Sequence, residues 1–139
     1  MIVGIGTDII EVERIAGVFS EYGDAFARRI FTEQERAYCE SFAIDKMPHY
    51  AARFAVKEAF SKAIGTGITN GFKFKDIGII NEPGGKPSIV LQGEMLERWG
   101  SYTIHVSISH TTSNAIAVVI IEDNAQSSID ITIASGEIA

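Results

Sequence analysis

The pattern of residues 49–64 constrains the fold of this chain more than any other feature. These residues are predicted to form one long helix that ends at Gly65, because glycine readily adopts the left-handed conformation that closes helices. Successive residues of a helix are rotated by about 100°, which places the small and apolar residues on one half of its surface. They are Ala52, Ala55, Val56, Ala59, Phe60 and Ala63. We therefore expect this half to pack closely against the core.

The rest of the chain divides into helical segments that come early and strands that come late. Residues 2–10 are rich in β-branched side chains and predict a strand, whereas Thr32 and Glu35 have the spacing of a capping box and predict the start of a helix. The other predicted elements are short helices over 11–19 and 93–99 and strands over 74–81, 88–91, 102–109 and 114–122. This order favours an α+β fold.

Residues 123–139 form a tail of a different character. The tail is polar at first and then alternates, with Ile129, Ile131 and Ile133 separated by polar or small residues. A frayed terminus, an additional strand and a segment that docks on a partner subunit all agree with this pattern. The role of the tail stays open, and the domain is assigned to residues 1–122.

Composition excludes several classes of protein. The 139 residues are 46% hydrophobic and 22% charged, which is typical of a soluble globular domain. The longest apolar run, residues 115–121, is too short to cross a membrane, and the N-terminus lacks a secretory signal, so we expect a cytoplasmic protein. Cys39 is the only cysteine, which excludes an intrachain disulfide. A net charge of −6 argues against a general nucleic-acid binder.

The other half of the predicted long helix carries charged and polar side chains. They are Arg53, Lys57, Glu58, Ser61 and Lys62. One interpretation is a solvated surface stabilised by pairs such as Glu58 with Lys62. The clustered cations, followed directly by Gly65 and Gly67, favour a site for a multiply phosphorylated ligand, because glycines let backbone N–H groups approach an anion. Glu58 among these cations would suit a Mg²⁺ ion that bridges the phosphates.

A Mg²⁺ site of this kind needs a second carboxylate, and Asp8 is the best candidate. Asp8 lies near the end of the first predicted strand, where an acidic residue is otherwise unfavourable. Alternatively, Asp8 caps a helix that begins at Ile9 or Ile10. The long separation of Asp8 and Glu58 along the chain leaves both roles open.

These segments together resemble the holo-acyl-carrier-protein synthases, the short type of 4′-phosphopantetheinyl transferase. The resemblance covers residues 1–122, and its most specific parts are GIGTDI over residues 4–9 and RFAVKEAFSKAIGTG over residues 53–67. Further matches are Arg14 with Ile15, FTEQE over 31–35, GKP over 85–87 and HVSISHT over 105–111. The motif of the first strand and that of the long helix, in this order and at this separation, are together specific for the family.

The resemblance implies a 4′-phosphopantetheinyl transferase fold, with helices packed on a mainly antiparallel sheet. It also implies an activity in fatty acid biosynthesis: transfer of the 4′-phosphopantetheine group from coenzyme A to a serine of apo-acyl carrier protein, with 3′,5′-ADP as the second product. The family is typically a homotrimer with active sites at subunit interfaces. Its acidic carrier protein docks on a basic region near the first helix, which Arg14 matches and which Arg28 and Arg29 adjoin.

The resemblance also implies roles for individual residues. Asp8 and Glu58 would be the Mg²⁺ ligands, and Glu58 and Lys62 would be catalytic. Coenzyme A would be held by one set of residues from the same subunit and another from a neighbouring subunit. The first set is Arg53, Ser61, Lys62 and Gly65, and the second is Lys86, Pro87 and His105.

Two other functions use the same residues. A Mg²⁺-dependent nucleotide hydrolase would need no carrier protein, and a non-catalytic trimeric module would bind coenzyme A or carrier protein without forming a covalent product. For the transfer, Glu58 is the preferred general base and Glu35 is a weaker candidate. Of the remaining histidines, His110 is predicted to shape the turn at residues 110–113, and His49 is predicted to lie on the surface.

Overall fold

The first strand leads directly into four helices, and the remaining strands follow in the second half of the chain. The structure is a computed structural model, and it describes residues 1–69 and 71–124; the greater part of the predicted tail lies outside these residues. The elements are β1 (Ile2–Glu11), α1 (Val12–Tyr22), α2 (Asp24–Ile30), α3 (Glu33–Glu40), α4 (Lys46–Ala63), a 3₁₀ turn (Phe74–Asp76), β2 (Ile77–Asn81), β3 (Pro87–Leu91), α5 (Gly93–Trp99), β4 (Thr103–His110) and β5 (Asn114–Glu122).

The strands of the described residues form two antiparallel sheets. One sheet has three strands in the order β1-β5-β4, with Ile5 opposite Ile120 and His105 opposite the same residue on the other side. The second sheet is the β2–β3 hairpin, in which Ile79 pairs with Ile89. The predicted α+β class with helices on a mainly antiparallel sheet is therefore confirmed.

Helix α4 packs directly on the inner face of the three-stranded sheet. Its small residues meet two glycines of β1: a β-carbon built on Gly4 would collide with the carbonyl oxygen of Ala63, and one built on Gly6 would collide with that of Ala59. Glycine is thus required at both positions for this close approach. The alternate residues of β5 that face α4 are buried, and they are Ala115, Ala117, Val119 and Ile121.

Local structure agrees with the sequence predictions in most segments. The capping box is present, since Thr32 Oγ1 accepts a hydrogen bond from the Glu35 N–H and the Glu35 side chain accepts one from the Thr32 N–H. The alternative role of Asp8 as a helix cap is wrong, because α1 begins only at Val12, after Glu11. Helix α2 was not predicted; Gly23 has φ 57° and separates it from α1. Residues 74–76 form a 3₁₀ turn instead of continuing the next strand.

The outer face of the three-stranded sheet exposes apolar side chains. Ile5 is 62% exposed, Ile9 is 68% exposed and Ile116, which pairs with Ile9, is 43% exposed. His105 lies on this face as well, because it is opposite the outward-facing Ile120. Within residues 1–69 and 71–124, no helix is long and apolar enough to span a membrane.

Candidate active site

The packing of α4 on β1 brings Asp8, Glu58 and Lys62 together, and we call these three residues the carboxylate–lysine cluster. Lys62 Nζ donates hydrogen bonds to Asp8 Oδ1 at 3.2 Å and to the Thr7 carbonyl oxygen at 2.9 Å. Burial, and after it the nearby Asp8 carboxylate, raise the pKa of Glu58 above its ordinary value of 4.5, whereas Lys62 and Arg14 lower it. Two segments that are far apart in the sequence thus contribute to one charged cluster.

The carboxylate–lysine cluster has the chemistry that Mg²⁺ requires. Burial is the larger cause of the raised pKa of Glu58 and repulsion from the Asp8 carboxylate is the second, and a divalent cation would relieve that repulsion. No group of three or more histidine, cysteine, aspartate or glutamate side chains forms a metal site among the described residues. A pair of carboxylates nevertheless suits Mg²⁺, which commonly takes one or two protein carboxylates and completes its shell with water and phosphate oxygens. The assignment of Asp8 and Glu58 as metal ligands stays a prediction.

Lys57 lies on the same half of α4 as Arg53 and Ser61, as the pattern predicts, but this part of the helix is buried and does not form a solvated surface. Its side chain is completely buried, as is that of Glu35, and the Lys57 Nζ to Glu35 Oε1 distance is 2.8 Å. Burial lowers the pKa of Lys57, and the Glu35 carboxylate opposes this shift. The structure also argues against Glu35 as the general base. Both of its oxygens accept hydrogen bonds inside the protein, and its side chain has no access to a substrate.

Arg53 and Ser61 lie on α4 on the side of Lys57, and both are buried. Arg53 Nη2 donates to Asn81 Oδ1 at 2.6 Å, and its guanidinium carbon lies 4.0 Å from the centre of the Tyr38 ring. Its Nε is buried and has no hydrogen-bond partner within the described part of the chain. Ser61 Oγ donates to the Glu58 carbonyl oxygen at 2.6 Å. Sequence reasoning missed Tyr38 and Asn81, since neither has a pattern that relates it to Arg53.

The loop after α4 has the backbone geometry that its glycines predict. Gly65 and Gly67 have φ angles of 83° and 63°, which favour glycine. The Gly67 N–H donates to the carbonyl oxygen of Ser61 at 2.9 Å and turns the chain back over the end of the helix. The predicted end of the long helix at Gly65 is therefore confirmed, with Ala63 as the last helical residue.

Three predicted site residues lie elsewhere in the chain. Lys86 and Pro87 lie at the end of the hairpin turn, where the Glu82 N–H donates to the Lys86 carbonyl oxygen at 2.8 Å. His105 lies on the outer face of β4, and its Nε2 is 3.1 Å from Glu122 Oε1. Among the residues that the structure describes, no hydrogen bond or ion pair joins these three to the carboxylate–lysine cluster.

The two other histidines contact each other. The ring of His49 stacks on Phe42 at 3.7 Å and lies 5.2 Å from the ring of His110, and His49 is half-buried where a surface position was expected. The turn at residues 110–113 is organised by Thr111, whose Oγ1 accepts hydrogen bonds from the N–H groups of Ser113 and Asn114. Thr111 therefore has the turn-shaping role that the sequence assigned to His110.

Comparison with known proteins decides the family. The family model for the 4′-phosphopantetheinyl transferase superfamily matches residues 4–125. The chain belongs to this superfamily. It is similar to the holo-[acyl-carrier-protein] synthase of Koribacter versatilis, with 45% identity over 126 residues that cover 88% of this chain and all of the relative.

Solved structures of transferases from this superfamily have the same fold. The holo-[acyl-carrier-protein] synthase of Neisseria meningitidis superimposes with a TM-score of 0.78 at 38% identity, over 88% of this chain and all of the other. The Bacillus anthracis enzyme in complex with coenzyme A (3′,5′-ADP) gives a TM-score of 0.76 at 39% identity, over 89% of this chain and 99% of the other. The resemblance seen in the sequence is confirmed.

Proposed function

We infer that this protein transfers the 4′-phosphopantetheine group of coenzyme A to a serine of apo-acyl carrier protein, which gives holo-acyl carrier protein and 3′,5′-ADP. The observation that carries this inference is the carboxylate–lysine cluster, which the packing of α4 on the glycines of β1 assembles. The cluster occurs in a chain that is 45% identical to a holo-[acyl-carrier-protein] synthase and matches the whole of that relative. The coenzyme A complex of a structural neighbour supports the same substrate.

The residues of the cluster have distinct tasks in this reaction. Asp8 and Glu58 would hold Mg²⁺, which supplies charge neutralisation at the pyrophosphate of coenzyme A. The serine oxygen forms a bond to the β-phosphorus, the bond to the oxygen of 3′,5′-ADP breaks, and Lys62 stabilises the charge on the phosphate oxygens. Glu58 accepts the proton of the serine.

Binding of the nucleotide would involve residues outside the cluster. Arg53 is a buried cation whose Nε has no hydrogen-bond partner among the described residues, and it suits a phosphate group. Ser61 and Gly65 lie in the last turn of α4 and just beyond it. The Ser61 hydroxyl donates to the Glu58 carbonyl oxygen and the Gly65 N–H donates to that of Lys62, so an anion bound there would replace these hydrogen bonds. Lys86, Pro87 and His105 are proposed to act in the site of a neighbouring subunit.

The exposed face of the three-stranded sheet supports a trimeric assembly. Ile5, Ile9 and Ile116 are exposed apolar side chains on one face of the sheet, of the kind that a subunit interface covers. His105 lies on that same face, so an interface there would place it beside another subunit. We further propose a cytoplasmic location and a role in fatty acid biosynthesis, which follow from the family and not from any single contact.

The region near α1 offers few cations that could bind an acidic carrier protein. Arg28 is paired with Asp24 at 2.9 Å, and Arg36 lies 3.9 Å from the same carboxylate. Arg14 and Arg29 form no salt bridge within the described part of the chain. We propose that these two meet the acidic helix of the carrier.

Intact-mass spectrometry of an apo-acyl carrier protein tests the function. Incubation with the protein, coenzyme A and Mg²⁺ is expected to add one phosphopantetheine, and a chelator should abolish the shift. Glu58→Gln keeps the shape of the side chain and removes its charge, so turnover should fall by about 1,000-fold or more. Hydrolysis of coenzyme A without a modified carrier would identify a nucleotide hydrolase instead. Binding of coenzyme A with no product from several carriers would identify a binding module.

A further inference from the structure

The buried Glu35–Lys57 ion pair has no role in the reaction described above. Both side chains are fully buried, and a buried ion pair often stabilises a protein no more than apolar residues of the same volume would. Stability alone therefore does not explain why two charges occupy this position. The hydrogen-bond partners of Glu35 and Lys57 indicate a role in positioning strand β2.

The Glu35–Lys57 pair forms hydrogen bonds with the backbone along one edge of strand β2. Lys57 Nζ donates to the Ile77 carbonyl oxygen at 2.6 Å and to that of Phe74 at 3.0 Å, and Glu35 Oε2 accepts from the Ile79 N–H at 3.2 Å. Alternate residues of a strand present their N–H and C=O groups to the same edge. A carboxylate and an ammonium group thus take the place of a neighbouring strand along the edge that does not pair with β3.

The β2–β3 hairpin depends on such anchors for its position. A two-stranded sheet is only marginally stable by itself, and within the described residues this one has no strand pairing with the larger sheet. The buried side chains of Ile77 and Ile79 hold the hairpin against the core. Apolar contact is not directional, however, whereas hydrogen bonds to a rigid helix fix the position along the strand.

The other end of the hairpin carries part of the proposed nucleotide site. Asn81, the last residue of β2, binds Arg53 at 2.6 Å and also donates from Nδ2 to the Gly85 carbonyl oxygen at 3.0 Å. Lys86 follows directly in that turn. Arg53 precedes Lys57 by about one helical turn, so α4 holds β2 at both ends.

We propose that the Glu35–Lys57 pair is a positioning element that fixes the β2–β3 hairpin on α4 and thereby places Arg53 and Lys86 for the nucleotide end of coenzyme A. The inference rests on the proposed function. The pair acts on coenzyme A binding and not on the chemical step, because the packing of α4 on β1 holds the carboxylate–lysine cluster independently of the hairpin.

The double variant Glu35→Gln/Lys57→Met tests this proposal, because it removes both charges and approximately keeps the two shapes. We expect the KM for coenzyme A to rise about tenfold or more, while kcat stays within roughly threefold of the original value. Hydrogen exchange of the amides of residues 77–81 should accelerate, since their anchors are lost. Calorimetric titration with coenzyme A should show the same loss of affinity without any need for turnover.

The matched control is Val119→Ala, a truncation in the buried middle of β5 that does not contact the hairpin edge through a hydrogen bond. The proposal would be overturned if the KM for coenzyme A changed no more in the double variant than in Val119→Ala and if hydrogen exchange of the amides of residues 77–81 were unchanged. If the double variant does not fold, Glu35→Gln alone is measured in the same way with the same criteria. If the original protein transfers no phosphopantetheine, the proposed function fails, and titration and exchange still decide whether the pair positions the hairpin.

Discussion

The contact between β1 and α4 makes Gly6→Ala the most informative single substitution in this protein. The added β-carbon would lie 2.7 Å from the Ala63 nitrogen and 3.0 Å from the Ala59 carbonyl carbon, and still closer to the Ala59 oxygen. Non-bonded carbon contacts prefer about 3.5–4.0 Å, so the helix must recede from the strand by roughly 1 Å. Both partners are main-chain atoms, and no side chain can rotate away to relieve the clash.

Two separate losses follow from this displacement. Overpacking of a closely packed core costs about 1–3 kcal/mol, and a loss of about 2 kcal/mol would lower Tm by roughly 7 °C for a domain of this size. The same shift separates Lys62 on α4 from Asp8 on β1, whose present distance is 3.2 Å. A misplacement of about 1 Å in a catalytic group can reduce the rate by about 100-fold. Gly6→Ala should therefore lose transfer activity even at temperatures where it is folded.

Urea denaturation and the intact-mass transfer assay measure these two effects at one fixed protein concentration. Gly17→Ala is the control for stability, because a β-carbon at Gly17 meets no atom within 4 Å in the part of the chain that the structure describes and the residue lies inside α1. The free energy of unfolding of this control should rise by about 0.5–1 kcal/mol, because alanine is more favourable than glycine inside a helix. If Gly6→Ala unfolds at the same urea concentration as the original protein and transfers at the same rate, the close packing of α4 on β1 is refuted.

Three further outcomes follow from buried groups. Lys57→Met alone should lower the free energy of unfolding by about 3–5 kcal/mol, since it leaves the Glu35 carboxylate buried without its partner; urea denaturation measures this, and a loss under about 1 kcal/mol would contradict it. Burial, and after it the nearby His110, lower the pKa of His49 below 6.5. The neutral His49 side chain therefore contributes its full stabilisation above pH 6.5, and this contribution is lost as the pH falls from 6.5 through the lowered pKa of the folded protein. His49→Gln should accordingly flatten the dependence of Tm on pH between about 7.5 and 5, and equal slopes would exclude this origin. Burial raises the pKa of Cys39 to about 12, so its thiol should react with a disulfide reagent only after unfolding, and rapid reaction of the native protein would show that it is accessible.

Local signals in the sequence were sufficient for most elements. The capping box at Thr32, the end of α4 near Gly65 and the strand over Asn114–Glu122 all agree with the structure, because each depends on residues that are neighbours in the chain. Helix α2 was missed because it is only seven residues long and follows a glycine that breaks the apolar pattern. Short helices of this kind form through tertiary contacts more than through their own propensity.

The helical pattern identified which residues share a side of α4 but not what that side meets. Lys57 appeared to belong to a solvated surface together with Lys62. In the structure, Lys62 is half exposed beside Asp8, whereas Lys57 is enclosed by Glu35 and the backbone of β2. The partner that buries Lys57 comes from another helix, and a pattern of one residue per 100° holds no information about it.

Residue types and their order were sufficient to predict the class of the fold and the family, whereas the residues assigned to a metal and to phosphate groups stay a prediction. Three findings needed the folded chain: Gly4 and Gly6 allow the close approach of α4, Lys62 binds Asp8, and Lys57 binds the backbone of β2 instead of facing solvent. The physical reason is the same in each case. Close packing and burial are set by atoms that approach from distant parts of the chain, and they decide whether a charge acts on a substrate or holds the protein in position.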